Sequence, residues 1–417
     1  MRDLFLGLDL GTSGVRALIL DAGGAVQASG RAQMATFGAN PRDPAIWWQA
    51  TKVALHSALM QVDRSRIRAI AVDGTSGTLL AVDPAGHPLA EAVMYNDACT
   101  DPTILARIAE YAPQSSAAQG ASSGLARAIG LQRHAPAKLL HQADWIAFQL
   151  GGQMGTDANN ALKTGYDPVE GVWPDWIAQT GLQPELLPQC LDPGSPSGQL
   201  TAQTAQEFGL NREVQLIAGT TDGCASFLAT GADTAGAAVS AIGTTLTLKI
   251  LSDRPIFAPH YGIYSHKILG MWLAGGASNS GGAALLAHFS AEEMQALTPL
   301  IQANKPLNLG YYPLPKTGER FPIADPDLPS RVSPRPSSDA QFLQALFEGL
   351  AAIEALGYQR LHDLGAPALT SLRSLGGAAA NPALGAIRAR LLGVESAQPL
   401  SREAAYGSAL LARRGAQ

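Results

Sequence analysis

Residues 4–21, Leu-Phe-Leu-Gly-Leu-Asp-Leu-Gly-Thr-Ser-Gly-Val-Arg-Ala-Leu-Ile-Leu-Asp, constrain the fold of this chain more than any other stretch. They read as two short apolar strands around a polar turn. Leu4, Leu6, Leu8 and Leu10 alternate with Phe5, Gly7 and Asp9, a pattern expected of a strand buried on both faces. A second strand runs over 15–20. Gly11, Thr12, Ser13 and Gly14 join the two. Their glycines permit a tight turn and close approach of a ligand to the backbone. Backbone N–H groups and two hydroxyls in such a turn can hold phosphate oxygens. Asp9, at the end of a buried strand, adds a carboxylate that can face a magnesium–phosphate complex. Arg16 adds a fixed cation suited to anionic oxygens. A plain β-hairpin with a glycine-rich turn accounts for the same residues equally well.

The spacing Asp9-x-Gly11-Thr12-x-x-x-Arg16 resembles the first phosphate loop of the sugar kinase, Hsp70 and actin superfamily, and within it of the FGGY carbohydrate kinases. Composition bounds what such a loop can serve. A chain of 417 residues predicts two to three domains. Hydrophobic content of 46% against 15% charge predicts an ordered globular protein. The net charge of −5 excludes nucleic acid or an anionic membrane as the main partner. Cys99, Cys190 and Cys224 are odd in number and widely spaced, without a zinc pattern, which fits a reducing cytoplasm. Arg2 and Asp3 open the chain and a strand follows at once, unlike a signal peptide. No apolar run has the length of a transmembrane helix. Neither a Walker A loop nor a Gly-x-Gly-x-x-Gly fingerprint occurs, so any nucleotide site is of another kind.

Further along, 25–34 can complete a meander with the first two strands. Asp43, with Pro44 in the first turn, opens a helix through about residue 61. A β-branched run over 67–73 reaches Asp73, followed by Gly74-Thr75-Ser76-Gly77-Thr78 and a strand over 79–83. A carboxylate and three hydroxyls at a strand end suit a polyol, and Asn96 and Asp97 follow. Asp, Asn, Ser and Gly also dominate ordinary turns. Helices are expected over 124–140, interrupted by Pro136, and over 139–150. The segment 157–167 resembles an FGGY-kinase segment of Asp, Asn and Tyr-Asp that follows a helix. A loop with a short helix fits 168–196.

The stretch 216–225 runs a strand into Gly219-Thr220-Thr221-Asp222-Gly223 and then a helix. Asp222 at that junction can take the proton of an attacking hydroxyl; as a helix cap it needs no further role. Residues 239–249 repeat the opening logic, with Gly243, Thr244 and Thr245 between two strands, and suggest an internal duplication. Residues 311–338 form a long proline-rich connection, in which 313–322 resembles the Gly-Glu-Arg-Thr-Pro loop of FGGY kinases. A long helix is expected over 340–364. A strand over 369–375 leads to Gly376, Gly377 and Asn381, where small residues let a flat ring lie on the backbone, like the FGGY adenosine motif. A closing helix over 404–414 resembles the family's Gly-Ala-Ala-Leu-Ala element.

These four loops arrive in the order found in FGGY carbohydrate kinases, along almost the whole chain. The resemblance implies an α/β protein of two RNase H-like domains with a cleft between them: 1–228, joined by the C-terminal helix 402–417, on the sugar side, and 229–401 on the nucleotide side. It implies transfer of the ATP γ-phosphoryl group to a sugar hydroxyl, with Asp222 as general base and Asp9 orienting Mg2+ through water. Gly11, Thr12, Ser13, Arg16, Gly243, Thr244 and Thr245 would hold phosphates; Gly376, Gly377 and Asn381 would lie at the adenosine. Asp9, Asp73, Ser76, Asn96, Asp97 and Asp222 are the candidate substrate contacts. The 73–78 segment resembles the ribulokinase type, so the expected sugar is a ketopentose, D-ribulose before D-xylulose. The expected assembly is a monomer or homodimer. A nucleotide-binding ATPase or regulatory module of the same superfamily is the alternative of another class.

Overall fold

A computed structural model describes residues 3–417, so Arg2 lies outside the described residues. The chain divides into two compact units. The first comprises residues 1–231, 266–270 and 401–417, and the second 232–265 and 271–400.

In the first unit, β1 (Leu4–Leu10), β2 (Gly14–Asp21), β3 (Val26–Gln33), β4 (Ile67–Gly74), β5 (Pro196–Gln199) and β6 (Gln215–Thr221) form one sheet in the order β3-β2-β1-β4-β6-β5. β1 is antiparallel to β2 and parallel to β4, and β4 is parallel to β6. Every residue of β1 is buried. Period-2 alternation divides those residues between two helices. Leu4, Leu6, Leu8 and Leu10 share a core with α1 (Pro44–Leu59), which Asp43 caps by accepting from the Ala45 N–H. Gly7 faces the other way: a Cβ there would come within 2.1 Å of the Ala405 carbonyl in the C-terminal helix, Ala404–Gly415. Asp9 shares that face.

The region between β4 and β5 departs from the sequence reading. Helix α2 (Gly124–Leu131) stops well before residue 140, and Lys138–His141 is a strand paired antiparallel with Leu79–Val82. Ala135 adopts a left-handed φ of 50°, and Pro136 cannot continue a helix. Apolar residues that suit a helix face satisfy an exposed strand edge instead. Helix α3 (Gln142–Gly151) follows directly, and α4 (Asp222–Ala229) follows β6.

The second unit repeats the pairing rule. β7 (Ala237–Ile242) is antiparallel to β8 (Leu246–Ser252) and parallel to β10 (Ser371–Leu375). β9 (Met271–Ser278) pairs with β8, and β11 (Ser396–Ala397) with β10, giving the order β9-β8-β7-β10-β11. Besides the short helix Gly282–Leu286, the helices are α5 (Ala291–Leu297), α6 (Asp339–Asp363) and α7 (Pro382–Leu392). Leu343, Leu346, Phe347, Leu350 and Ile353 of α6 fill the core of this unit. Among the described residues no helix is long and apolar enough to cross a membrane.

Candidate functional site

Three carboxylates stand where three neighbouring parallel strands end. Asp9 closes β1, Asp73 closes β4 directly opposite it, and Asp222 begins α4 immediately after β6. Ligands of open α/β sheets bind at this end of the strands. Gly219 makes the last junction possible, since a Cβ there would come within 1.7 Å of the Val72 carbonyl oxygen.

Asp9 is 5% exposed and accepts from Arg16 Nη1 at 3.2 Å; Arg16 Nε pairs with Glu403 at 3.2 Å. Asp73 is wholly buried and accepts from Ser408 Oγ in the C-terminal helix. Its Oδ1 meets no donor. Burial first, and the charge of Asp9 second, push Asp73 well above the usual carboxylate range. Burial also raises Asp9, while the hydrogen bond from Asp73 and the Arg16 charge draw it back. The two carboxyls face each other across the β1–β4 register, and their mutual charge together with burial disfavours ionising both. Asp222 Oδ1 accepts from the Gly223 N–H at 2.6 Å, at the positive end of α4. Thr12 and Ser13 are exposed in the turn between β1 and β2, which closes through a bond from the Gly11 N–H to the Gly14 carbonyl at 3.0 Å.

The two polar clusters named in the sequence are knit together by a residue the sequence did not single out. Arg127 of α2 is 4% exposed and donates to the carbonyls of Gly77, Asp97 and Tyr95. Thr78 Oγ1 accepts from the Tyr95 N–H at 3.1 Å and bonds Thr75 Oγ1, which donates to Gln142 Oε1. Asp97 is bound by Arg42 on both oxygens and accepts from the Met94 N–H, and the Arg42 bond holds its carboxyl below the usual range. Asp97 thus braces the loop. Asn96 is exposed, and Ser76 is partly buried among these residues.

In the second unit, the turn Gly243-Thr244-Thr245 lies on the segment 280–283. Gly282 N–H donates to the Gly243 carbonyl at 2.7 Å, Ala283 N–H to Thr244 at 3.1 Å, and Leu246 N–H to Ser280 at 2.7 Å. Buried Glu319, from the Gly-Glu-Arg loop, steadies that segment: it accepts from Ser278 Oγ, Tyr312 OH and the N–H groups of Asn279 and Arg320. A cavity of about 950 Å³ opens beside the turn, lined by Ile242, Leu286, Met294, Thr298, Gly377 and Asn381 among others. Gly376 has φ +90°, and a Cβ would strike the Ile242 carbonyl oxygen at 2.4 Å. A Cβ on Gly377 would meet nothing within 4 Å, which leaves the open space a flat ring needs. Asn381 Oδ1 accepts from the Ala383 and Leu384 N–H groups as the cap of α7, and its Nδ2 donates to Thr298 Oγ1 at 2.7 Å. It lines the cavity with its side chain already committed.

Beneath the first-unit sheet end, His141, Asp144, Thr156 and Thr164 form a buried network. Asp157 caps the short helix Ala158–Ala161 by accepting from the Asn159 and Asn160 N–H groups. Asn159 Nδ2 then reaches Thr220 Oγ1 on β6 at 2.9 Å. Burial, and then the charge of Asp144, push Asp157 up to about 7. The native protein therefore keeps a proton there that the unfolded chain releases near pH 4. Stability contributed by this group falls as pH rises from about 4 to about 7 and is level above, at about 1.4 kcal/mol per pH unit of offset. Asp157→Asn should flatten that slope, because buried Asn160 Oδ1 lacks a donor and can accept from the new amide after a flip. Melting temperatures of both proteins between pH 4.5 and 8 check it, and parallel curves would refute the assignment.

Residues 4–121 match the N-terminal domain, and residues 238–416 the C-terminal domain, of the FGGY family of carbohydrate kinases. These stretches take in more than half of the chain, which belongs to the FGGY family of carbohydrate kinases. The xylulose kinase of Klebsiella pneumoniae is 24% identical over 286 residues, 64% of this chain and 59% of that protein. The autoinducer-2 kinase of Yersinia pestis (strain Pestoides F) is 26% identical over 461 aligned positions, 99% of this chain and 86% of that protein. The crystal structure of a xyloylose kinase from Brucella ovis superposes with a TM-score of 0.86 at 24% identity, over 99% of this chain and 90% of that one. The chain spans little more than half the length of the xylulose kinases it matches. The fold is the two-domain α/β fold of FGGY sugar kinases, related to that of actin and Hsp70.

Proposed function

We propose that this protein transfers the γ-phosphoryl group of ATP to a hydroxyl of a ketopentose, D-ribulose ahead of D-xylulose. The observation that carries the reading is the set of three carboxylates at the ends of β1, β4 and β6, in a chain of a sugar kinase family. Asp222 would accept the hydroxyl proton as the oxygen–phosphorus bond forms and the bond to ADP breaks. Asp73 lies too deep to touch a sugar and would act by holding Asp9 in place. Ser76 and Asn96, on loops braced by Arg127, would contact the sugar. In the second unit Gly243, Thr244 and Thr245 would hold phosphate oxygens, and in the first unit Gly11, Thr12, Ser13 and Arg16 are the candidate phosphate donors. The second-unit cavity would take the adenosine. One carboxylate suits magnesium that keeps waters and phosphate ligands, so Asp9 would hold Mg2+ through water. Bound magnesium neutralises phosphate charge. The acidic balance and scattered cysteines support a cytoplasmic protein without nucleic-acid or membrane partners; the proposed assembly is a monomer or homodimer.

ADP release with Mg-ATP across D-ribulose, D-xylulose, L-ribulose, L-xylulose, ribitol, glycerol and no sugar tests the reading. Autoinducer-2 joins the panel, because the Yersinia kinase of that name is similar along nearly the whole chain. Strong stimulation by D-ribulose is expected. Activity unchanged by every compound favours the ATPase or regulatory module.

A further inference from the structure

The second-unit cavity has few polar side chains with which to read the edge of a base. Asn381 has both amide atoms engaged, by the α7 cap and by Thr298. Thr298 Oγ1 in turn donates to the Met294 carbonyl at 2.6 Å. The carbonyls of Gly377 and Ala378 accept from the N–H groups of Ala380 and Asn381. Thr244 belongs to the phosphate turn. Gln295 is exposed on α5, a helix with no buried residue, so its amide keeps water as a partner. The remaining wall is apolar or small: Ile242, Leu285, Leu286, Met294, Phe347 and Leu384.

From this we infer that the cavity recognises a nucleoside by the shape and burial of its rings, and takes guanosine and inosine nucleotides alongside adenosine nucleotides. The inference rests on the nucleotide assignment made for this unit. Adenine and guanine share one bicyclic outline and differ in the donors and acceptors on their edges. A site built to hydrogen-bond a substrate group rejects an analogue lacking it by about 10⁴–10⁵, because its buried polar atoms are left unpaired. An apolar pocket discriminates among similar shapes by only about 10²-fold. Here the partly buried polar side chains of the wall, Asn381 and Thr298, are already paired, so a changed base edge strands neither of them.

Calorimetric titration of the full chain with ADP, GDP and IDP, without sugar, tests this. The three dissociation constants should lie within about 100-fold of one another. Gln295→Ala should leave their ratios within about tenfold of the parent's, since an exposed amide adds little. A preference for ADP above 100-fold, or one that collapses in Gln295→Ala, overturns the inference and leaves the nucleotide assignment standing. Failure of all three to bind removes that assignment, and the inference with it.

Discussion

Asp222→Asn should lower phosphoryl transfer at least ~100-fold while ADP binding stays as in the parent protein, the scale expected for loss of a general base. The substitution is mild for the fold. An amide oxygen can still accept from the Gly223 N–H, and the residue is only partly buried at the start of α4. What it loses is the ability to take a proton. The charge removed also lessens the repulsion on Asp73, whose carboxyl is raised first by burial and to a smaller degree by Asp222. The Asp9–Asp73 pair therefore has no reason to come apart in the variant. The cavity proposed for adenosine is built entirely from residues 242–384, so calorimetry with ADP should report an unchanged dissociation constant. Steady-state ADP release with the preferred sugar supplies the rate. A variant with full activity removes Asp222 from the mechanism. One that loses both ADP binding and activity points to a structural role.

The opening strand was legible because its pattern leaves little choice. The five uncharged residues Leu4 to Leu8 before Asp9 can only be a buried strand, and Gly7 marks where a helix backbone presses against it. The junction at Asp222 was legible for the same reason: an apolar run, a glycine where the bulge forms, then a small-residue helix. The strand Lys138–His141 was not. Its four residues suit a helix face, and only the distant edge of Leu79–Val82 selects the extended form. Arg127 was hidden differently. An arginine in a short helix reads as solvent-facing, and nothing local says that three carbonyls from residues 77, 95 and 97 converge on it. Asp73 and Asp97 were recognised as important but not for what they do. A sequence shows a carboxylate at a strand end, not whether the neighbouring strand places a second carboxylate or an arginine against it.

Arg388→Met should destabilise the protein by about 3–5 kcal/mol, the cost of leaving a buried ion without its partner. Arg388 of α7 and Glu354 of α6 form a two-pronged pair at 2.6 and 2.7 Å, with side chains 2% and 1% exposed. Around them Arg388 donates to Ser374 Oγ at 2.9 Å, and Glu354 accepts from Ser240, which also bonds Tyr358 at 2.8 Å. Ser240 lies on β7 just before Gly243, and Ser374 on β10 just before Gly376. One ion pair thus fixes both strands that carry the proposed nucleotide loops to the two helices behind them. The methionine fills most of the arginine's volume, so the loss measures the abandoned carboxylate more than a cavity. At about 2–4 °C per kcal/mol for a domain of this size, the melting temperature should fall by roughly 6–20 °C. Arg388→Met with Glu354→Leu should recover part of that loss, because an apolar pair needs no counter-charge. It should not recover ADP affinity to the same degree, since Ser374 has lost Arg388 and Ser240 has lost Glu354, leaving only Ser396 and Tyr358 to hold them. A single variant as stable as the parent would show that water reaches Glu354, and that the loops owe their position to the backbone contacts at Gly282 and Ala283 alone.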